Sequence, residues 1–335
     1  MIDGLAVVDA HVHVPRLSTV SPAWLAWAAD YGKDSGWRDV FGPQGDPVPK
    51  RLDALLDHEG VDAALLFAEY SPDATGIQPA EDLLPIIAHH PARFHLVANV
   101  NPHLHQPPAA EAARQLGLGA VAVKVHPVHG GFRPDTPDMY EVYELCAERQ
   151  VPVIVHTGPS IFPGSQPEAG DPRLVDPIAA DFPAVNFVLA HGGRGGTYAQ
   201  AARMALARDN VWLDLAGLPP KRLPDYYAGF DLPALAAKWI FGTDWPGVPG
   251  VAINARAIAA LGLPGDILAA VLGGNAARVY PGVTAAGALS RTSDGSPPAL
   301  PVAASSFSRA RRGRRQTRPP PPPGPLACAR RTAAS

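Results

Sequence analysis

Five side chains with metal-binding chemistry sit at the ends of apolar runs in this 335-residue chain. Residues 7–14 read Val-Val-Asp-Ala-His-Val-His-Val and carry His11 and His13. His156-Thr157-Gly158 follows the run at 151–155, His191-Gly192-Gly193 the run at 185–190, and Asp244-Trp245-Pro246 the run at 239–242. Side chains alternate across a strand, so His11 and His13 share one side, roughly 7 Å apart along it. Taken alone, that pair reads equally as structural histidines or as ligands of one ion. Taken with the others, four imidazoles and one carboxylate are the donors a borderline divalent ion uses, zinc first.

That reading needs a fold that brings the ends of distant strands together. Eight apolar runs, at 7–14, 61–70, 94–100, 120–125, 151–155, 185–190, 211–216 and 239–242, alternate with stretches of helical pattern. Strands so apolar are buried on both faces, as a parallel sheet requires. Eight strand–helix units in about 280 residues fit an α/β chain folded as a (β/α)8 TIM barrel, in which all strand C-termini meet at one mouth. An open doubly wound sheet is disfavoured because no Gly-rich phosphate loop follows the first run. The aromatic-rich stretch at 15–49, with Trp24, Trp27, Tyr31, Trp37 and Phe41, is an insertion expected chiefly to pack on the body or form a subunit interface. One or two of its aromatics are expected at the substrate pocket. Thr136-Pro137-Asp138 reads as a helix start, with Thr136 as N-cap, after which Met139, Val142, Tyr143 and Cys146 fall on one buried face.

Composition narrows the partners. Apolar residues make up 47% of the chain and charged ones 18%, enough for a sizeable core. Residues 284–335 hold nine Arg against one Asp, a net of +8, so with a total of −3 the first 283 residues carry −11. An acidic body argues against a nucleic-acid partner. Two cysteines, Cys146 and Cys328, give no disulfide framework, which points to the reducing cytoplasm. No signal-peptide pattern and no membrane-length apolar run is visible. A small molecule is the expected partner, and a homodimer stays open.

Beyond about Val283 hydrophobic periodicity ends, and Ala, Ser, Pro and Arg dominate, with Arg311-Arg312-Gly313-Arg314-Arg315 and a proline run at 319–323. The expected organisation is a catalytic barrel at 1–283 and a disordered tail at 284–335. Truncation after Val283 should leave melting temperature and metal content unchanged; a large loss of either would show that the tail belongs to the fold.

The motifs together resemble the amidohydrolase superfamily, and within it the amidohydrolase-related group that includes aminocarboxymuconate-semialdehyde decarboxylase. The resemblance rests on Asp9-Ala10-His11-Val12-His13, the segment 119–127 (Gly-Ala-Val-Ala-Val-Lys-Val-His-Pro), Val155-His156-Thr157-Gly158, Ala190-His191-Gly192-Gly193, Gly242-Thr243-Asp244-Trp245-Pro246 and Gly274-Asn275-Ala276-Ala277-Arg278. It covers residues 5–282 in the family's order and implies a distorted (β/α)8 barrel. It also implies an ion held by His11, His13, His156 and Asp244, with His191 at the attacking water rather than always a ligand. Asn275 and Arg278 fall in the closing helix, where packing is their expected role.

In chemical terms, Asp244 would orient a water and take its proton, and His191 would hydrogen-bond the nucleophile or the developing oxyanion. Lys124 ends the fourth run and has three readings: a carbamylated bridge between two metals, a substrate anchor, or a charge partner for a carboxylate such as Glu69. The resemblance favours a single ion. Among the other mouth-side histidines, His103, His105, His126 and His129, the first choice for a substrate contact is His126. Arg133 and Arg194 are candidates for a substrate carboxylate, each with a surface role as the plainer alternative. The expected activity is hydrolysis of a small carboxylated or cyclic compound, such as an amide or lactone. The alternatives are non-oxidative decarboxylation and a non-catalytic metal-binding barrel.

Overall fold

A computed structural model describes residues 1–284; the tail expected beyond that point lies outside the described residues. Eight strands form one sheet: β1 (Val8–Val12), β2 (Ala63–Phe67), β3 (Phe94–Val100), β4 (Ala122–Val125), β5 (Val153–His156), β6 (Phe187–Ala190), β7 (Val211–Asp214) and β8 (Trp239–Ile240). Each pairs in parallel with the next in sequence. The chain after β8 returns to β1. The Ala10 N–H donates to Phe241 O at 3.0 Å, Asp244 N–H to His11 O at 3.0 Å and His13 N–H to Trp245 O at 2.8 Å. These bonds join the last strand to the first, giving the TIM barrel predicted.

Two apolar layers follow from strand alternation. Val8, Ala10, Ala63, Leu65, Phe67, Val97, Ala122, Ile154, Val188, Trp212 and Ile240 fill the interior, with Val279, Tyr280 and Val283 of the C-terminal segment packed on them. The alternate residues, such as Val123, Val155, Leu189 and Leu213, meet the surrounding helices. In β1 this parity changes. Val8 and Ala10 belong to the inner layer, yet Val12 and Val14 belong to the outer one. The pairing register shifts between Asp9 and Val12, the irregularity of a bulge. That shift turns both His11 and His13 inward, which alternation alone would not have done for residues out of step with Val8 and Ala10.

The helices lie where their patterns put them, Ala80–His89 and Tyr198–Ala207 among them. Thr136 precedes helix Pro137–Arg149 without making a side-chain cap bond, so Pro137 at the first turn is the start signal that held. The expected closing helix is two helices, Gly265–Ala269 and Asn275–Val279, joined by a π-helical turn. Asn275 Nδ2 donates to the Ala237 and Trp239 carbonyls and so ties this segment to β8. In the insertion, Trp24, Trp37 and Phe41 are buried and meet edge to face. No described helix is long and apolar enough to cross a membrane.

Cys146 is fully buried on its helix, and burial pushes its thiol up to about 12. Below that pH the nucleophilic thiolate is scarce. Iodoacetamide at pH 8 should therefore leave Cys146 unmodified in the native protein and modify it after unfolding, as read by peptide mass mapping. Rapid native labelling would contradict the burial.

Candidate functional site

The C-terminal strand ends enclose a cavity of about 340 Å³. His11, His13, His156, His191 and Asp244 all line it, so the five residues singled out from sequence do meet. One ligand atom each from His11, His13 and Asp244 lies within 4.8 Å of the others. His13 Nε2 stands 3.2 Å from Asp244 Oδ1, and His11 Nε2 3.8 Å from the same oxygen. The His156 and His191 rings sit beside them, with centroids 4.5 Å apart, and His191 is 5.2 Å from the His11 ring.

The backbone holds two of these residues in an uncommon conformation. His191 has φ 65° and Asp244 φ 71°, left-handed values that cost a non-glycine residue roughly 1–3 kcal/mol. Such strain persists where the surroundings impose it, and here it coincides with both residues assigned chemistry. Gly217, at φ 67°, makes room for them. A Cβ there would stand 3.0 Å from Asp244 Oδ2, 3.1 Å from Arg194 Nη1 and 3.4 Å from His191 Nδ1. Three functional groups thus converge on one glycine.

Hydrogen bonds fix the rings. His191 Nδ1 lies 2.8 Å from the Ala216 carbonyl, which can only accept, so Nδ1 carries the proton and Nε2 is bare. That Nε2 accepts from His156 Nδ1–H at 3.1 Å, and His156 Nε2 is left bare and buried with no hydrogen-bond partner in the structure. His11 Nδ1 is 2.6 Å from Asp214 Oδ2. Burial, followed by the positive Lys124 nearby, holds His11 well below the usual imidazole range. Burial is likewise the largest cause that holds His191 and His156 well below that range. Burial pushes the Asp244 carboxyl up, but the His13 hydrogen bond and the neighbouring His191 and His11 prevail and hold it well below the usual range. Neutral imidazoles and an ionised carboxylate are the forms that ligate metals. A buried nitrogen without a partner, in a set of this chemistry, fits a divalent ion.

Asp214 was not singled out from sequence. It ends β7 on the same inward parity as Lys124 in β4 and His156 in β5, and that position was the available signal. Asp9 is its counterpart at the barrel seam. Its carboxylate accepts from His11 N–H, Thr243 N–H and Thr243 Oγ1, tying the β1 and β8 ends together.

Lys124 is buried, with Nζ 3.5 Å from His11 Nε2 and 5.0 Å from the Phe67 ring centre. Burial lowers its pKa to about 8. It forms no ion pair within 4.0 Å among the described residues, but Asp214, Glu69 and Asp244 lie near enough to favour its charge against the burial. Arg133 leaves the site: it is exposed and paired with Asp135. Arg194 lines the cavity, with its Nε donating to Pro159 O. His103 Nε2 lies 3.1 Å from the Gly131 carbonyl and His105 Nδ1 accepts from Asn101 N–H, whereas His126 and His129 line the cavity. Trp24, Trp27, Tyr31, Phe162, Tyr198 and Tyr226 form its aromatic walls, so three insertion aromatics reach the pocket.

The sequence profile of the family described as Amidohydrolase matches residues 8–282. No match was found among curated proteins. Solved structures share the fold. An uncharacterised TIM-barrel protein from Bordetella bronchiseptica is 21% identical with TM-score 0.64, over 82% of this chain and 97% of that one. A dihydroxybenzoic acid decarboxylase from Polaromonas, solved with manganese and 2-nitroresorcinol, is 17% identical with TM-score 0.60, over 82% and 96%. A probable 2-pyrone-4,6-dicarboxylic acid hydrolase from Acinetobacter baumannii is 15% identical with TM-score 0.57, over 82% and 99%.

Proposed function

The chain belongs to the amidohydrolase family, and on that premise we propose that it is a metal-dependent hydrolase of a small, planar carboxylated compound with a cyclic ester or amide carbonyl. His11, His13, His156 and Asp244 would hold one divalent ion. The imidazole-rich donor set suits zinc; manganese, the ion in the Polaromonas relative, is the other candidate. When bound, such an ion lowers the pKa of a coordinated water to about 7 and polarises a carbonyl.

The observation that carries the hydrolytic reading is the bare Nε2 of His191. With its proton committed to the Ala216 carbonyl, this ring presents an acceptor rather than a donor, which His156 Nδ1–H meets at 3.1 Å and an attacking water would take over. Asp244, a carboxylate, is an acceptor too. Two acceptors at one point suit the removal of protons from an attacking water, whereas protonating a carbon requires a donor. The acceptor character of Nε2 supports a role for His191 toward the nucleophile rather than toward an oxyanion. Arg194 is the cation for a substrate carboxylate or a developing oxyanion, and the aromatic walls suit a planar ring or conjugated chain.

Arg194 also favours a second reading. It supplies the anchor that non-oxidative decarboxylation needs, in a largely apolar pocket that favours loss of charge. Decarboxylases stand among the related folds. A screen of lactones, amides and aromatic or unsaturated carboxylates tests the metal-dependent reading. Turnover should vanish on complete chelation and return with one divalent ion. Turnover that survives complete metal removal would overturn it.

A further inference from the structure

A second set of donors lies beside the same cavity, whose wall two of the three line. One ligand atom each from Glu69, His126 and His129 falls within 4.8 Å of the others, and none of the three belongs to the first set. Glu69 opens the short hairpin after β2, His126 follows β4, and His129 stands three residues on, in the helical turn Pro127–Gly130. The side chains of His129 and Glu69 are only 5% and 12% exposed.

Each donor has at least one contact outside the trio. Thr75 Oγ1 donates to Glu69 Oε1 at 3.1 Å. His129 Nε2 lies 2.7 Å from Ser160 Oγ. The His126 ring is stacked between His129 and His156, with centroids 3.7 Å and 4.3 Å away. His126 Nδ1 accepts from His129 N–H at 3.4 Å, a long bond that the ring would give up on binding an ion. Outer partners of this kind orient the ligands of metal sites.

What remains is a gap. His129 Nδ1 is buried without a hydrogen-bond partner, and the nearest carboxylate oxygen, Glu69 Oε1, is 3.9 Å away. That is too long for a hydrogen bond. It is the separation expected of two ligands on one ion, since donors each about 2.1 Å from a metal stand roughly 3–4 Å apart. We propose that Glu69, His126 and His129 form a second divalent-cation site of two imidazoles and one carboxylate, beside the first and independent of Lys124. Burial keeps both imidazoles neutral, their ligating form. The donor mix suits a first-row transition ion. Three protein donors leave open positions, and both histidines line the cavity, so those positions would face the substrate.

The same atoms also run hydroxyl, imidazole, carboxylate, as in a proton relay from Ser160. The 3.9 Å gap weighs against that reading. Titration of the chelator-treated full chain with Co²⁺, followed by visible absorption and by equilibrium dialysis with elemental analysis, separates the two. The wild type should take up two equivalents, the second more weakly. Glu69→Gln and His129→Gln, with circular dichroism matching wild type, should each take up one. His13→Ala should keep the equivalent that those two lose. Saturation of the wild type at one equivalent would overturn the site, as would two equivalents in Glu69→Gln and His129→Gln. Two equivalents in His13→Ala with one in Glu69→Gln would uphold this site while refuting the first ligand set.

Discussion

Replacing His13 with alanine should yield a folded protein that has lost its tightly held divalent ion and, with it, nearly all turnover. The side chain is 17% exposed at the mouth, so its removal opens no cavity in the packed barrel interior. It stands 3.2 Å from Asp244 Oδ1, where both would ligate the same ion. Removing an outer partner of a ligand already costs roughly 10–100-fold in metal affinity. Removing a ligand should cost more, above about 100-fold on the same scale. Asp214→Asn calibrates that comparison. Its carboxylate holds His11 Nδ1 at 2.6 Å, and the amide should weaken metal binding by about 10–100-fold without abolishing it. Elemental analysis after dialysis and a thermal melt check both variants. Metal in dialysed His13→Ala equal to that in wild type dialysed alongside it would remove that residue from the ligand set.

The second large effect separates metal binding from chemistry. His191→Ala should keep the ion and lose about 10²–10⁴-fold in kcat, the usual contribution of a positioned proton acceptor. The change in KM should be small, because the substrate anchor is assigned to Arg194. The prediction rests on the bare Nε2, set by the Nδ1–H donated to Ala216 O. It also rests on the strained φ of 65° that aims the ring into the cavity. Steady-state kinetics with metal content measured on the same sample decides it. Loss of metal would make His191 a ligand, and unchanged kcat would remove it from the reaction.

The barrel was legible in the sequence because each of its strands is a short apolar run and each helix has its own period. The mouth residues were legible because they interrupt those runs at their C-terminal ends. The inward turn of His11 and His13 was not, since it depends on the register shift between Asp9 and Val12 that only pairing with β2 reveals. Asp214 was passed over because a single carboxylate ending a strand looks like a surface residue until His11 is seen against it. Lys124 and Arg133 show the reverse. From sequence Lys124 invited pairing with a carboxylate and Arg133 a substrate carboxylate, but Lys124 faces His11 inside the barrel and Arg133 turns out to Asp135, its plainer surface role. The acceptor character of His191 lay in a backbone carbonyl 25 residues away, which no local pattern encodes.

The central claim is that water is the nucleophile. Once a substrate is in hand, turnover in ¹⁸O-labelled water with mass analysis of the products tests it directly. The structure's two acceptors at the mouth predict one ¹⁸O atom in the product carboxylate and no carbon dioxide. Carbon dioxide release, with a solvent proton on carbon and no ¹⁸O in the organic product, would contradict the account and make the enzyme a carboxy-lyase.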